Sequence, residues 1–185
     1  MTRAVTLRAG ELDEFETERL RAERLQLHHF DELRRMHCDA AVMTHLGGVR
    51  SEEQTTSYLE KNLKHWADYG FGLWILRERG GVEFIGRGLL RHLKVGGVDD
   101  EVETGYAFYE SFWGRGLATE ITAACLTIAR ERLGLDTVVA VTSPDNVKSQ
   151  HVLQKNGLAF DRAFTHEGAE ASLFRVRWPP RSSGE

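Results

Sequence analysis

The sequence predicts an α/β (α+β) fold: a mixed, mostly antiparallel central sheet of about six to seven strands, flanked by helices. Three observations carry this. Short apolar or β-branched runs separated by glycine-bearing turns read as strands. Two longer segments repeat apolar residues at three- and four-residue steps, the helical period. One strand–helix–strand unit stands among hairpin-joined strands, so one pair of strands is parallel. A chain of 185 residues is most simply one domain. It can bury about 70% of its unfolded surface without a disulfide or metal staple.

Residues 1–17 read as an N-terminal extension, 18–178 as the single domain and 179–185 as a tail that frays. Leu20, Ala22, Leu25 and Leu27 alternate with polar residues and predict a first strand. Asp31 is positioned to cap a helix bearing Leu33, Met36 and Ala40, and Gly47-Gly48 ends that region. Ser51-Glu52-Glu53-Gln54 is a capping-box signature, and Tyr58, Leu59, Leu63 and Trp66 give the following helix its core face. Strands over 73–76 and 84–90 are joined by Arg79-Gly80-Gly81. A turn at Gly96-Gly97 and Asp99-Asp100 leads to a strand over 102–109. Leu117, Ile121, Ala124, Cys125, Ile128 and Leu133 return to helical spacing, closed by Gly134. Thr137–Thr142 is a buried strand, 146–156 a short helix stopped by Gly157, and 160–164 with 171–178 a final strand pair.

Charge and cysteines exclude several classes. The 24 Lys+Arg against 28 Asp+Glu give a net −4, which argues against a grip on nucleic-acid phosphates. Cys38 and Cys125 are too few for a disulfide framework, and Cys125 in an apolar helix reads as a buried thiol. No run approaches the ~18 apolar residues of a membrane span, and no signal segment is visible. A soluble, cytoplasmic protein is expected. The eight histidines show no paired ligand spacing with cysteine support, so no metal is expected.

The segment richest in chemistry is Tyr109-Glu110-Ser111-Phe112-Trp113-Gly114-Arg115-Gly116-Leu117-Ala118-Thr119-Glu120. A strand ends, two glycines stand two apart, and a helix begins at once. Small residues let backbone N–H groups converge on one point, and a helix N-terminus adds partial positive charge. That combination suits a pyrophosphate, with Arg115 as a charge at the rim. A plain tight turn with helix entry is the alternative reading. The P-loop pattern is absent, and the dinucleotide pattern needs glycine where Thr119 stands.

These residues, with Glu103-Thr104-Gly105-Tyr106-Ala107, Pro144-Asp145-Asn146-Val147-Lys148-Ser149 and Val152-Leu153-Gln154-Lys155-Asn156-Gly157-Leu158, resemble the GCN5-related N-acetyltransferases. The opening Thr17-Glu18-Arg19-Leu20-Arg21 and Gly70-Phe71-Gly72-Leu73-Trp74 look like the branch of the ribosomal-protein N-acetyltransferases (RimJ/RimL-like). The resemblance covers about residues 17–178. The family's loop pattern is Gln/Arg-x-x-Gly-x-Gly/Ala; here Trp113, Gly116 and Ala118 hold its positions. It implies the GNAT acyltransferase fold, with acetyl-CoA as co-substrate and transfer of acetyl directly to a primary amine. Backbone from Gly114 to Thr119, with Leu117 and Ala118 between, would hold the CoA pyrophosphate. Ala107, Phe108 and Tyr109 would pair with the pantetheine arm, which Asn146 would steady. Homodimers are common in the family.

A lysine-type amine with pKa ≈ 10.4 is uncharged in only about one molecule in 10³ at neutral pH, so a base is needed. Glu103 matches the family's base in some members, with substrate positioning as its alternative role; Glu101, on the same strand face, is the spare. A backbone N–H near Ala107 or Phe108 is the expected oxyanion donor. Many members place a tyrosine seven residues after the asparagine as acid, but Leu153 stands there. Ser149 is the branch's alternative, or else a surface serine. His37, His45, Trp66 and Trp74 lie in segments that wall the family's acceptor cleft, and each side chain reads first as packing or surface rather than as a substrate contact. The acceptor stays open between a peptide N-terminus and a small-molecule amine. A non-catalytic acyl-CoA-binding module on the same fold would share the loop.

Overall fold

The computed structural model describes residues 6–7, 12–95, 98–166 and 168–179. A nine-stranded sheet forms in the order β1-β2-β3-β4-β5-β6-β7-β9-β8. Its strands are β1 (Thr6–Leu7), β2 (Glu14–Glu16), β3 (Leu20–Arg24), β4 (Leu73–Glu78), β5 (Gly86–Val95), β6 (Val98–Phe108), β7 (Thr137–Thr142), β8 (Ala159–His166) and β9 (Ala169–Arg177). The helices are α1 (Phe30–His37), α2 (Ala40–Met43), α3 (Glu52–Tyr69), α4 (Leu117–Glu131) and α5 (Val147–Lys155). Every pairing is antiparallel except β6 with β7, which α4 joins by the expected crossover.

Two strands exceed the expectation. Glu14–Glu16, read above within an extension, pairs with β3 and buries Phe15 edge-on to Trp74 at 5.3 Å between ring centroids. A three-residue strand with one apolar side chain gives too little alternation to announce itself. The cap of α1 also differs. A 3₁₀ turn at Leu27–His29 runs straight into the helix, with His29 Nδ1 accepting from the Gln26 N–H at 2.9 Å. Asp31 therefore lies inside the first turn of α1, and Ala40 opens α2, which Asp39 caps through the N–H groups of Ala41 and Val42. The Ser51–Gln54 capping box forms in both directions. The turn expected at Gly96-Gly97, and the tail from residue 180, lie outside the described residues.

Side-chain parity assigns the faces of the sheet. A Cβ on Gly88 would stand 2.7 Å from Ile121 Cγ1, so Gly88 faces α4, and glycine lets that helix pack closely. Arg87 faces the other way: its guanidinium lies 5.4 Å from the Tyr58 ring on α3. Cys125, Ile121, Ala124 and Ile128 of α4 are fully buried, and burial pushes the Cys125 thiol up to about 12. Trp66 and Trp74 are core residues, their indole N–H groups donating to the carbonyls of Leu73 and Leu12.

His37 is fully buried between α1 and α3, with Nδ1 3.0 Å from Thr55 Oγ1 and Nε2 3.1 Å from Arg50 Nη1. Burial, then the nearby guanidinium groups of Arg50 and Arg87, lower its pKa to about 3. Below the ordinary histidine value of 6.5 the unfolded chain takes up a proton that the folded chain refuses. His37 thus contributes stability that is present above that value and lost as pH falls toward 3. Urea midpoints measured from pH 7 to pH 4 should fall for the wild type and fall less for His37→Gln; parallel slopes would remove His37 from the acid limb.

Candidate active site

The site is built where β6 and β7 part. Their recorded parallel register is the single partnership Glu103↔Val139, although β6 continues to Phe108. On its other edge β6 pairs continuously with β5, from Arg91↔Glu103 to Gly86↔Phe108. The Leu90 N–H goes to Gly72, on the β4 side, and Leu90 partners Thr104. In an antiparallel ladder the backbone groups alternate between edges. Hence Thr104, Tyr106 and Phe108 present theirs toward β7, while Gly105 and Ala107 turn toward β5. The Tyr109 N–H, bonded to the Ile85 carbonyl, obeys the same alternation. Beyond Glu103, the β7-facing edge of β6 has no strand partner among the described residues.

At the mouth of this gap the chain makes its glycine loop. After Phe108 comes a 3₁₀ turn at Glu110–Phe112, then Gly114 and Gly116 in the left-handed region, at φ 72° and 77°. Gly116 is the N-cap residue of α4, so the helix starts on a cap with no side chain. Leu117 is buried as its first residue, and Gly114, Arg115 and Gly116 are exposed. The N–H groups of the first turn are the orphan donors of a helix N-terminus, and they open outward.

Several contacts brace the loop. The Trp113 indole N–H donates to the Phe108 carbonyl at 2.8 Å, and Lys148 Nζ lies 5.3 Å from the Trp113 ring. Arg19 donates to the Arg115 carbonyl at 2.7 Å and pairs with Glu120, which also accepts from the Thr17 hydroxyl at 2.6 Å. The carbonyl of Thr119 accepts from the Asn156 carboxamide at 3.3 Å. Arg115 itself pairs with Glu78 and stacks over Phe112, so its charge is already partnered. Residues 17–19 and Lys148 had been noticed only for their place in a motif; their bracing role needs the fold.

The two candidate catalytic residues lie on opposite faces of β6. Glu103 is 7% exposed, on the face of α1 and α3, and its carboxylate pairs with Arg91. Glu101, the spare, pairs with Arg175. On the α4 and α5 face, Tyr106 donates its hydroxyl to Ser149 Oγ at 3.3 Å. Burial pushes the Tyr106 phenol up, so it keeps its proton. Tyr106 escaped the sequence reading because an aromatic in a strand reads as packing. Asn146 caps α5, its carboxamide oxygen accepting from the Ser149 N–H at 3.1 Å. This fixes Ser149 at the gap and commits that oxygen. His45 Nδ1 lies 3.1 Å from Ser143 Oγ and 3.6 Å from Asp145, linking the turn after α2 to the β7–α5 loop.

Comparison with known proteins speaks to the domain and the fold. Residues 19–159 match the family model described as acetyltransferase (GNAT) domain. A protein of Bacillus subtilis (strain 168), called uncharacterized protein YkkB, is 28% identical over 130 residues, 67% of this chain and 72% of that one. The crystal structure of the acetyltransferase from Agrobacterium tumefaciens str. C58 superposes with a TM-score of 0.80 at 26% identity, covering 94% of this chain and 99% of that one. RimL, the ribosomal L7/L12 alpha-N-protein acetyltransferase, in complex with coenzyme A, shares the fold at a TM-score of 0.69 and 18% identity, with 87% and 95% covered.

Gly116→Glu would force a side chain into the left-handed region and set a carboxylate at the helix N-terminus. Calorimetric titration with acetyl-CoA should show affinity falling at least 100-fold; unchanged affinity would move the phosphate site elsewhere. Together the domain match and the shared architecture identify the chain as a member of the GNAT acetyltransferase family, with RimL among its structural neighbours.

Proposed function

We propose that the protein is an acetyl-CoA-dependent N-acetyltransferase that passes the acetyl group directly to a primary amine. The observation that carries this reading is the unpartnered β7-facing edge of β6, running from the Glu103↔Val139 contact into the glycine-capped start of α4. A pantetheine arm carries amide groups that can pair with such an edge as an added strand does. A pyrophosphate suits the N–H groups from Gly114 to Thr119. No helix among the described residues is long and apolar enough to cross a membrane.

The steps follow from the two faces. The neutral amine attacks the thioester carbonyl from the α1 and α3 side, and its proton leaves toward Glu103, directly or through water. Arg91 pairs with that buried carboxylate in the waiting state. The N–H of Phe108, directed to the open edge by the strand alternation, is placed to receive the developing oxyanion. The Ala107 N–H, in contrast, is directed into the β5 ladder. Collapse of the tetrahedral intermediate expels the CoA thiolate toward the α4 and α5 side. There Ser149, accepting from Tyr106, has its own proton free to give. No covalent enzyme intermediate is required.

Glu103→Gln should lower kcat/KM by about 10²- to 10⁴-fold on a competent acceptor, the usual span for a lost acid–base group. Ser149→Ala and Tyr106→Phe should each lower kcat while leaving acetyl-CoA affinity near the wild-type value. Thiol release over a panel of amines and peptides checks this. Wild-type rates in all three variants would remove the assigned roles. Acetyl-CoA binding with no turnover on any acceptor would favour a non-catalytic module.

A further inference from the structure

Several partly buried arginines are matched to carboxylates. Arg77 is held by Glu23 and Glu32, Arg175 by Glu101 and Asp161, and Arg91 by Glu103. Arg87 differs. It is 5% exposed at the centre of the sheet, yet among the described residues it has no ion pair and no side-chain hydrogen bond. Its Nε is buried without a partner. Its recorded neighbour is the Tyr58 ring, whose own hydroxyl is also buried without a partner. Arg50 approaches the same ring, at 4.7 Å, and His37 beside them is held neutral, so it adds no further positive charge.

Such an arrangement is costly. A guanidinium cannot shed its proton, and a buried charge without a counter-ion is strongly destabilising. The planar fork of arginine matches a carboxylate through two parallel hydrogen bonds, and a phenol O–H can supply a third. Position narrows the occupant. Arg87 is the cross-strand partner of Ala107, beside the strand edge proposed to carry the thioester arm. It points to the α3 face, whereas Gly88 next to it abuts α4. The phosphate cradle at the α4 N-terminus is therefore on the other side of the sheet, which sets the phosphates of CoA aside as occupants. Glu103, on the same face, lies four residues along the strand from Ala107, about 13 Å.

We infer that Arg87 and Tyr58 form an anion site that takes the carboxylate of the acceptor, so that the preferred acceptors are amines bearing a carboxylate, such as amino acids or acidic peptide N-termini. The acceptor role rests on the acetyl-transfer reading above; the anion site itself does not. The net charge of −4 points toward cationic acceptors, and this local cluster outweighs it because charges act over about a Debye length of 10 Å.

Two measurements on the full chain test it, using wild type, Arg87→Met, Arg87→Lys and Tyr58→Phe. First, thermal melts at fixed ionic strength compare sodium acetate and sodium succinate with chloride and sulfate. The carboxylates should raise the wild-type Tm, raise that of Arg87→Lys and Tyr58→Phe less, and leave that of Arg87→Met unmoved. Without anion, Arg87→Met should melt at or above wild type, since a buried unpaired charge has gone. Second, kcat/KM ratios compare glycine with glycinamide, and glutamate with glutamine. The preference for the more acidic acceptor should fall roughly 10- to 100-fold in Arg87→Met, the usual worth of a hydrogen bond to a charged group. Tm shifts equal in chloride and acetate, or absent in all salts, would overturn the carboxylate site. Equal ratios in wild type and Arg87→Met would do so too, while leaving acetyl transfer standing. A carboxylate shift lost in Arg87→Met, with no turnover on any acceptor, would support the site and sink the transfer reading.

Discussion

Parallel strands joined by a helix ordinarily stay paired along their length, because each unpaired backbone group in the interior costs a hydrogen bond. Here β6 and β7 are registered at Glu103↔Val139, and past that point the β7-facing edge of β6 has no strand partner among the described residues. The rest of the structure is arranged around that parting. β5 holds the opposite edge of β6 in register from Glu103 to Phe108. The β7–α5 turn is pinned by the Asn146 cap and by the reach of Ser143 and Asp145 to His45. Trp113 takes the Phe108 carbonyl at the far end and leaves the N–H of that residue for another partner.

The parting also explains how one strand serves two chemistries. Period-two alternation sends Glu103 and Ala107 to the α1 and α3 face, and Tyr106 to the α4 and α5 face. A buried carboxylate with its arginine stands on one side, and a pair of neutral hydroxyls on the other. A proton taken from an attacking amine and a proton given to a leaving thiolate would then travel on opposite sides of the reacting carbon. Neither group has to switch roles within one turnover. Arg87 belongs to the first side, in the half of the site that would meet the acceptor.

Much of this was legible in the chain itself. The β6–α4–β7 unit showed as a change of period from strand to helix and back, and Thr137–Thr142 has the bounds its β-branched run gave it. The Ser51–Gln54 box could be read because reciprocal capping depends on residues three apart. What escaped depends on distant partners or on too few residues. Strands β1 and β2 are too short for periodicity. Asp31 reads as a cap until the Gln26–His29 contact fixes where α1 begins. Tyr106 gains meaning only when Ser149, 43 residues later, is brought to its hydroxyl. Arg87 looks like any polar strand residue, since a sequence cannot list the partners a side chain lacks.

Site-resolved amide hydrogen exchange with and without acetyl-CoA tests the central claim most directly. If the open edge of β6 receives the pantetheine arm, the N–H groups of Tyr106 and Phe108 should slow on binding, together with those from Gly116 to Thr119. Those of β8 and β9 should keep their rates. Unchanged exchange at Tyr106 and Phe108 in a protein saturated with acetyl-CoA would contradict the account.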